Sequence, residues 1–447
     1  MTEAMGQALT HIRLDASRWR FVDLRIDIPR GSFGSDAINP HTQYSNSVAI
    51  FEQDSLSGIG ASFTLGEGNE MICRGAEFIV SQLDGATVGE LMAQGRGFYE
   101  TLTNPLQLRW LSPNAGVPLM AAGLVANTLI DAAAKTCAMP AWEYMAKLPT
   151  EVLLGLVNLR HLGDRFDRTA MEAMLDEGLE GIDARCAELK AASLPVYYTT
   201  WIGHTAETIA EQIRVQHAER GIARFKIKIG PDIAGDRAKI ALIASLIPSG
   251  LELCVDANQT LSLDEAKQWL TVLSEEGIKW LEEPFAPDNV NLFNELVRFK
   301  RDRGLSCEIV TGENCPNHYT ASALMEGGID RFQADPCRMF GLIDAMLVCC
   351  EARIAGCTVT PHAGGSALDE LSPHIQLFNL ARVRTDLDPA QSLTENVGFC
   401  SRYFAAPTIV RNGKALTPQR PGLLVGLAKE IVQQTHDYKA GVTWLAL

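Results

Sequence analysis

The sequence contains no Cys-x-x-Cys pair: its eleven cysteines are scattered, with no histidine-rich segment to partner them. An odd number of dispersed thiols reads as reduced cysteine in an intracellular protein, and a cytoplasmic location is expected. Cys349 and Cys350, directly after Ala345-Met346-Leu347-Val348, read as packing inside a buried helix. Positive charge is also scarce. There are 39 Lys and Arg against 54 Asp and Glu, a net charge of −15, with a pI near 5.1. Nucleic acid is therefore excluded as a partner, because phosphate binding needs clustered basic residues. A small anionic substrate is not excluded, since a bound divalent cation and two lysines reverse the field locally. The amino terminus has no apolar h-region, and no uninterrupted apolar run reaches bilayer length, so a soluble protein without a membrane partner is expected. Internal repeats and low-complexity tracts are absent as well.

What is present is an ordinary globular composition, 47% hydrophobic and 21% charged, in a chain of 447 residues. That length exceeds one compact core and suits a barrel of about 250 residues plus a second domain. Residues 9 to about 70 read as strands and turns around a long polar loop, Gly31 to Tyr44. From Glu70 to Met145 the pattern is helical, giving an α+β domain over residues 1–150. Val152 to His161 reads as a short strand-like connector, and Arg165 to Ala192 as one long amphipathic helix. Both belong to an insertion at 151–195. Strand and helix then alternate as far as Glu395, completing a barrel domain at 151–395. The loop-rich remainder, 396–447, is expected to return to the first domain.

Within the alternating region six short segments end in residues that can do chemistry. They are Arg224-Phe225-Lys226-Ile227-Lys228, Leu253-Cys254-Val255-Asp256-Ala257-Asn258, Trp280-Leu281-Glu282-Glu283-Pro284, Val310-Thr311-Gly312-Glu313, Phe332-Gln333-Ala334-Asp335 and Val359-Thr360-Pro361-His362. Each follows its predecessor after roughly 22 to 31 residues, about the chain that one strand and one return helix consume. With Val196 to Thr200 before them and Ser392 to Glu395 after, the strands number eight, as in a (β/α)8 barrel. In such a barrel the carboxyl ends of the strands ring one mouth, so these groups converge.

An acid at a strand end is by itself usually a solvated side chain. Three in register, Asp256, Glu282 and Glu313, form a hard, oxygen-only donor set that fits Mg²⁺ with positions left open. Glu283 is expected to point away, because successive strand residues face opposite sides. Lys226 and Lys228 are two apart and share a face, with Phe225, Ile227 and Ile229 on the other. Facing inward, such lysines are desolvated, which lowers a lysine pKa toward neutrality and makes one a potential base. The other, held charged, can pair with a substrate carboxylate. Asp335 and His362 sit on consecutive units, where a carboxylate on one ring nitrogen fixes the tautomer of the imidazole. Gly364 and Gly365 follow, permitting close approach of a ligand. Two acid/base groups flanking a carboxylate-chelating metal point to removal of a proton alpha to a carboxylate, through an enediolate that the metal and a charged lysine stabilise.

These segments resemble the mandelate-racemase-like branch of the enolase superfamily, and within it the L-fuconate and L-galactonate dehydratases. Lys226-x-Lys228, Val255-Asp256-Ala257-Asn258, Glu282-Glu283-Pro284, Thr311-Gly312-Glu313, Gln333-x-Asp335 and Pro361-His362-Ala363-Gly364-Gly365 carry the likeness. Gly34-Ser35-Asp36-Ala37-Ile38-Asn39-Pro40, Tyr44-Ser45, Phe63-Thr64-Leu65-Gly66 and Gln107-Leu108-Arg109-Trp110 extend it into the first domain. The resemblance implies a modified TIM barrel with an α+β cap, Mg²⁺ as cofactor, and a homo-oligomer. It further implies that the loops at Gly31–Tyr44 and Phe63–Gly68 close over the barrel, making Ser35 and Asn39, with Lys226 and Asn258, candidate substrate contacts. Glu395 matches the glutamate that such enzymes place near the enediolate oxygens. The chain departs from the group at Arg338-Met339-Phe340-Gly341, at Ser366-Ala367, at Cys315-Pro316-Asn317 and around Trp201, all beside the expected mouth. The expected activity is Mg²⁺-dependent dehydration of a sugar acid to a 2-keto-3-deoxy acid, with Lys228, His362, Asp335 and Glu395 catalytic. Lys228 and His362 share the base and acid roles in an order the sequence leaves open. Racemisation or epimerisation of a 2-hydroxy acid, or a silent binding relative, are the alternatives.

Overall fold

The computed structural model describes residues 2–27, 43–94, 97–160, 162, 166, 168–201, 204–386, 392–398, 400–432 and 443–446. After a helix at Thr2–Thr10 come three antiparallel strands: β1 (Trp19–Asp27), β2 (Gln43–Gln53) and β3 (Leu56–Thr64). The β2–β3 hairpin turns at Asp54, whose φ is 53°. Helices Asn69–Gln82 and Gly116–Thr136 pack on this sheet. The approach of the second helix is so close that a Cβ at Gly58 would lie 2.3 Å from the Thr128 carbonyl oxygen. Glycine there is a packing requirement.

Helix Gly116–Thr136 is the most apolar long segment among the described residues, although Asn127, Asp131 and Lys135 interrupt its apolar run. By length and composition it could cross a membrane, its most apolar 18 residues having a mean hydropathy of 1.5, but 89% of that stretch is buried inside the protein. It is a core helix: Asp131, fully buried on it, pairs with Lys135 at 2.6 Å and accepts from the N–H groups of Ile59 and Leu423 at 2.8 and 2.6 Å.

The segment linking cap to barrel differs from its sequence reading. Of the residues expected to form a strand-like connector, 152–156 lie in a helix, Thr150–Leu156, which Pro149 starts and which holds Leu153, Leu154 and Leu156 in the core. The single long helix expected after it is two, Arg168–Leu179 and Ile182–Ala191, separated where Gly181 takes φ 67°.

The remaining strands are β4 (Ser193–Thr199), β5 (Arg224–Lys228), β6 (Glu252–Asp256), β7 (Trp280–Glu282), β8 (Glu308–Thr311), β9 (Arg331–Phe332), β10 (Thr358–Val359) and β11 (Thr394–Glu395). From β4 to β10 each pairs in parallel with the next, and β11 pairs in parallel with β4. A ladder between β10 and β11 is missing among the described residues. A side chain spans that seam instead. The Gln376 amide, fully buried on helix Leu368–Phe378, donates to Val359 O at 3.2 Å and to Leu393 O at 2.9 Å.

Strand alternation divides the apolar residues into two sets. Phe225, Ile227, Val255, Leu281 and Ile309 join the main core, whereas Tyr197, Cys254, Trp280, Val310 and Leu393 form a separate cluster enclosed by the strands. Return helices such as Ala206–Arg220, Leu263–Glu276 and Val290–Arg303 end on glycines in the left-handed region, Gly221, Gly277 and Gly304. Past β11 a hairpin of β12 (Val410–Arg411) and β13 (Lys414–Leu416) pairs with β4, and β14 (Thr443–Ala446) runs parallel to β1. All eleven cysteines are free thiols, ten of them buried.

Candidate active site

Parallel pairing sets the strand-end groups side by side. Lys228 is the register partner of Asp256, and Asp256 of Glu282. Glu313 follows β8 after Gly312, whose φ of 140° and lack of a Cβ let the chain pass the Gln333 backbone. Asp256, Glu282 and Glu313 each offer an oxygen within 4.8 Å of the other two, and they form the one such acidic trio among the described residues. Asp256 and Glu282 are fully buried. Asn258 shapes this pocket by donating from its backbone to Asp256 Oδ1 at 2.9 Å and from its side chain to Oδ2 at 3.3 Å. The donor set is all oxygen, buried and convergent, which fits a hard divalent cation.

The lysines are bound into these carboxylates. Lys226 Nζ touches Glu282 and lies 3.3 Å from Asp256, 3.4 Å from Glu395 and 4.0 Å from Glu313. Lys228 Nζ donates to Asp256 at 2.6 Å. Burial alone would lower the Lys228 pKa, as the sequence led us to expect. Asp256, helped by Glu313 and Glu282, more than offsets it, so the pKa is raised above its ordinary value. The Lys226 pKa is raised further, by Glu282 and Glu395 acting against burial. Asp256 is correspondingly held well below the usual carboxylate range, the two lysines overcoming its burial.

Across the cavity, His362 Nδ1 bonds Asp335 Oδ2 at 2.7 Å. Its Nε2 lies 3.0 Å from the Gly364 nitrogen and 3.4 Å from Glu313. Burial lowers the imidazole pKa, but Glu313 and the bond to Asp335 outweigh it and lift it to about 9. Glu395 accepts from the Ala363 N–H at 2.8 Å and from the Thr199 hydroxyl; against the effect of burial, Lys226 and His362 bring its pKa down to about 2.

One cavity of about 190 Å³ gathers Lys226, Lys228, Asn258, Glu313, His362 and Glu395. It is smaller than the roughly 300–1,000 Å³ of drug-sized pockets. Asp256 and Glu282 lie behind the lysines, and Asp335 behind the imidazole. Ser35 and Asn39, with most of the Gly31–Tyr44 loop, lie outside the described residues. The cap contributes Tyr44, Phe63 and Leu65, from the two loops expected to close over the barrel, while Thr199, Gln259, Asn314 and Arg338, none of them assigned a role from the sequence, line the cavity from the barrel side.

Glu283 requires a correction, because it faces the cavity. The strand ends at Glu282, and Glu283 takes φ 41°, which breaks the alternation that would have turned it away. Its carboxyl is held by Asn314 at 3.1 Å and Gln259 at 3.2 Å.

Residues 208–431 match the family profile described as enolase C-terminal domain-like, half of the chain. The chain belongs to the enolase superfamily. Among curated members it is 31% identical to the L-galactonate dehydratase of Hypocrea jecorina, over 95% of each chain. It is 28% identical to the human mitochondrial enolase superfamily member 1, over 98% of each. The crystal structure of that human protein superposes with a TM-score of 0.87, covering 96% of this chain and 97% of that one. L-talarate/galactarate dehydratase from Salmonella typhimurium LT2, solved with Mg and L-lyxarohydroxamate, shares the fold at a TM-score of 0.70, with 18% identity over 94% of this chain and 92% of that one. Enolase-superfamily relatives of this chain thus include named dehydratases and Mg-bound enzymes.

Proposed function

We propose that this protein dehydrates a sugar acid, an aldonate of the L-fuconate or L-galactonate kind, to a 2-keto-3-deoxy acid. The observation that carries the reading is a single cavity lined by an ammonium pair from β5, an Asp-supported imidazole from the loop after β10, and Glu313, on which Asp256 and Glu282 converge from behind the lysines. The dehydratase among the relatives supports the substrate class. A closed (β/α)8 barrel under a cap of residues 1–150 is part of the same proposal, supported by the Gln376 bridge and by the shared fold.

Asp256, Glu282 and Glu313 would hold Mg²⁺. Bound there, the ion supplies Lewis acidity toward the substrate carboxylate and a positive charge that opposes the carboxylates now keeping Lys228 protonated. The C2 proton passes to a neutral Lys228 or His362, whichever faces it in the substrate's configuration. Lys226, buried and charged, sits where negative charge grows on the carboxylate oxygens and stabilises the enediolate. The C3–O bond then breaks with a proton delivered to the departing hydroxide, and water leaves. The enol that remains takes a proton at C3 to become the 2-keto acid. Asp335 holds the imidazole and its tautomer throughout.

Because both candidate bases face the cavity, 1,1-proton transfer is the competing reading. The test is incubation with Mg²⁺ and a panel of hexonates, pentonates and aldarates in D₂O. Formation of 2-keto acid from an aldonate is expected. Deuterium at C2 of recovered substrate with no 2-keto acid would replace dehydration with racemisation or epimerisation. An unchanged panel would overturn both.

A further inference from the structure

Three cations line the cavity, and two are spoken for by the carboxylates described above. The third is Arg338, half-buried on the loop after β9. Among the described residues no carboxylate lies within ion-pair reach of its guanidinium, and nothing there accepts a hydrogen bond from it. The loop beneath it is, by contrast, pinned from several directions. Cys337 N–H donates to Asp335 Oδ1 at 2.6 Å, and the Ser62 hydroxyl reaches Cys337 O at 3.3 Å. Asn127 donates to Pro336 O at 3.2 Å and accepts from Leu342 N–H at 2.8 Å. Phe340 N–H is held by Asp344 at 3.2 Å. A fixed platform therefore presents a cation with its donors unused.

A guanidinium loses hydration on entering a cavity, and among the described residues no group compensates for that loss. Its fork of donors suits a planar carboxylate or a pair of neighbouring oxygens. The loop rests on β3 of the cap through Ser62, and the cavity wall on that side includes Phe63 and Leu65. The reacting end of an acid sugar is occupied by the lysines, the imidazole and the carboxylate trio. What remains for Arg338 is the rest of the chain.

We propose that Arg338 is the specificity-determining residue of this site, taking oxygen groups of the substrate beyond C3. This rests on the acid-sugar reading. On this reading the cavity favours sugar acids over the shorter 2-hydroxy acids that share the same reacting end.

The test compares Arg338→Met and Arg338→Lys with the wild-type enzyme in Mg²⁺, after circular dichroism confirms the fold. Two quantities are read: KM and kcat for the best six-carbon acid, and the competitive Ki of lactate. Lactate keeps the carboxylate and the C2 hydroxyl but has nothing beyond C3. Arg338→Met should raise KM about tenfold or more with kcat held within threefold, the loss of one or two charge-assisted bonds. The Ki of lactate should stay within twofold, and Arg338→Lys should recover part of the affinity. A rise of both constants together would place Arg338 at the reacting end, and no change in either would remove it from binding; each result overturns the inference. A wild-type enzyme that acts on no acid of the panel is a different failure, that of the dehydratase reading itself.

Discussion

Replacing His362 with asparagine removes the only imidazole that the described residues bring to the cavity and leaves the cation pocket's own ligands untouched. Asp335 keeps one partner, the Cys337 N–H at 2.6 Å, so the buried carboxylate is not stranded. What disappears is one of the two groups proposed to exchange a proton with substrate. General acid–base catalysis contributes roughly 10²- to 10⁴-fold, so kcat should fall by that factor, about 3–5 kcal/mol of barrier at about 1.36 kcal/mol per decade. Mg²⁺ affinity should not fall. The imidazole, with its pKa near 9, is largely cationic at neutral pH and stands 3.4 Å from Glu313, so it opposes a second cation. Steady-state assay of 2-keto acid and titration calorimetry with Mg²⁺ read the two effects separately. A variant turning over within threefold of wild type would refute the assignment. A variant that lost Mg²⁺ binding would show that His362 belongs to the metal pocket.

Mg²⁺ binding should strengthen as pH rises toward 9, because His362 and Lys228 both hold extra protons beside the carboxylate trio in the metal-free protein. Calorimetry in buffers of differing ionisation enthalpy should report protons released at pH 7; uptake, or none, would contradict the charge arrangement. Gln376→Leu strips the β10–β11 seam of two accepted bonds and leaves the Asn379 amide without its 3.2 Å acceptor. Buried groups left unsatisfied cost about 1–3 kcal/mol each, less what local relaxation recovers, so urea unfolding should show a loss of roughly 2–4 kcal/mol. A loss below about 0.5 kcal/mol would mean the bridge does not hold the seam.

Much of the site was legible because it repeats with the fold: one strand, one helix, one functional group, from Lys226 to His362. What escaped depended on a broken local rule or on distant chain segments. Glu283 was misread because strand alternation ends one residue earlier, where a non-glycine residue enters the left-handed region. Helix Thr150–Leu156 was misread because Val152 and Gly155 are poor helix formers, and burial of three leucines overrides them. The break in the next helix was signalled by Gly181 and passed over. Gln259 and Asn314, from the ends of two different units, reach the same cavity, and no spacing pattern brings them together. That Arg338 has no partner among the described residues is likewise a property of its surroundings, invisible in the residues beside it.

The account depends on three acids serving one ion. Crystals grown with Mn²⁺ in place of Mg²⁺ should show a single anomalous peak in the barrel mouth, with oxygens of Asp256, Glu282 and Glu313 all within bonding distance. A peak that leaves any of the three unbonded, or none at saturating Mn²⁺, would contradict it.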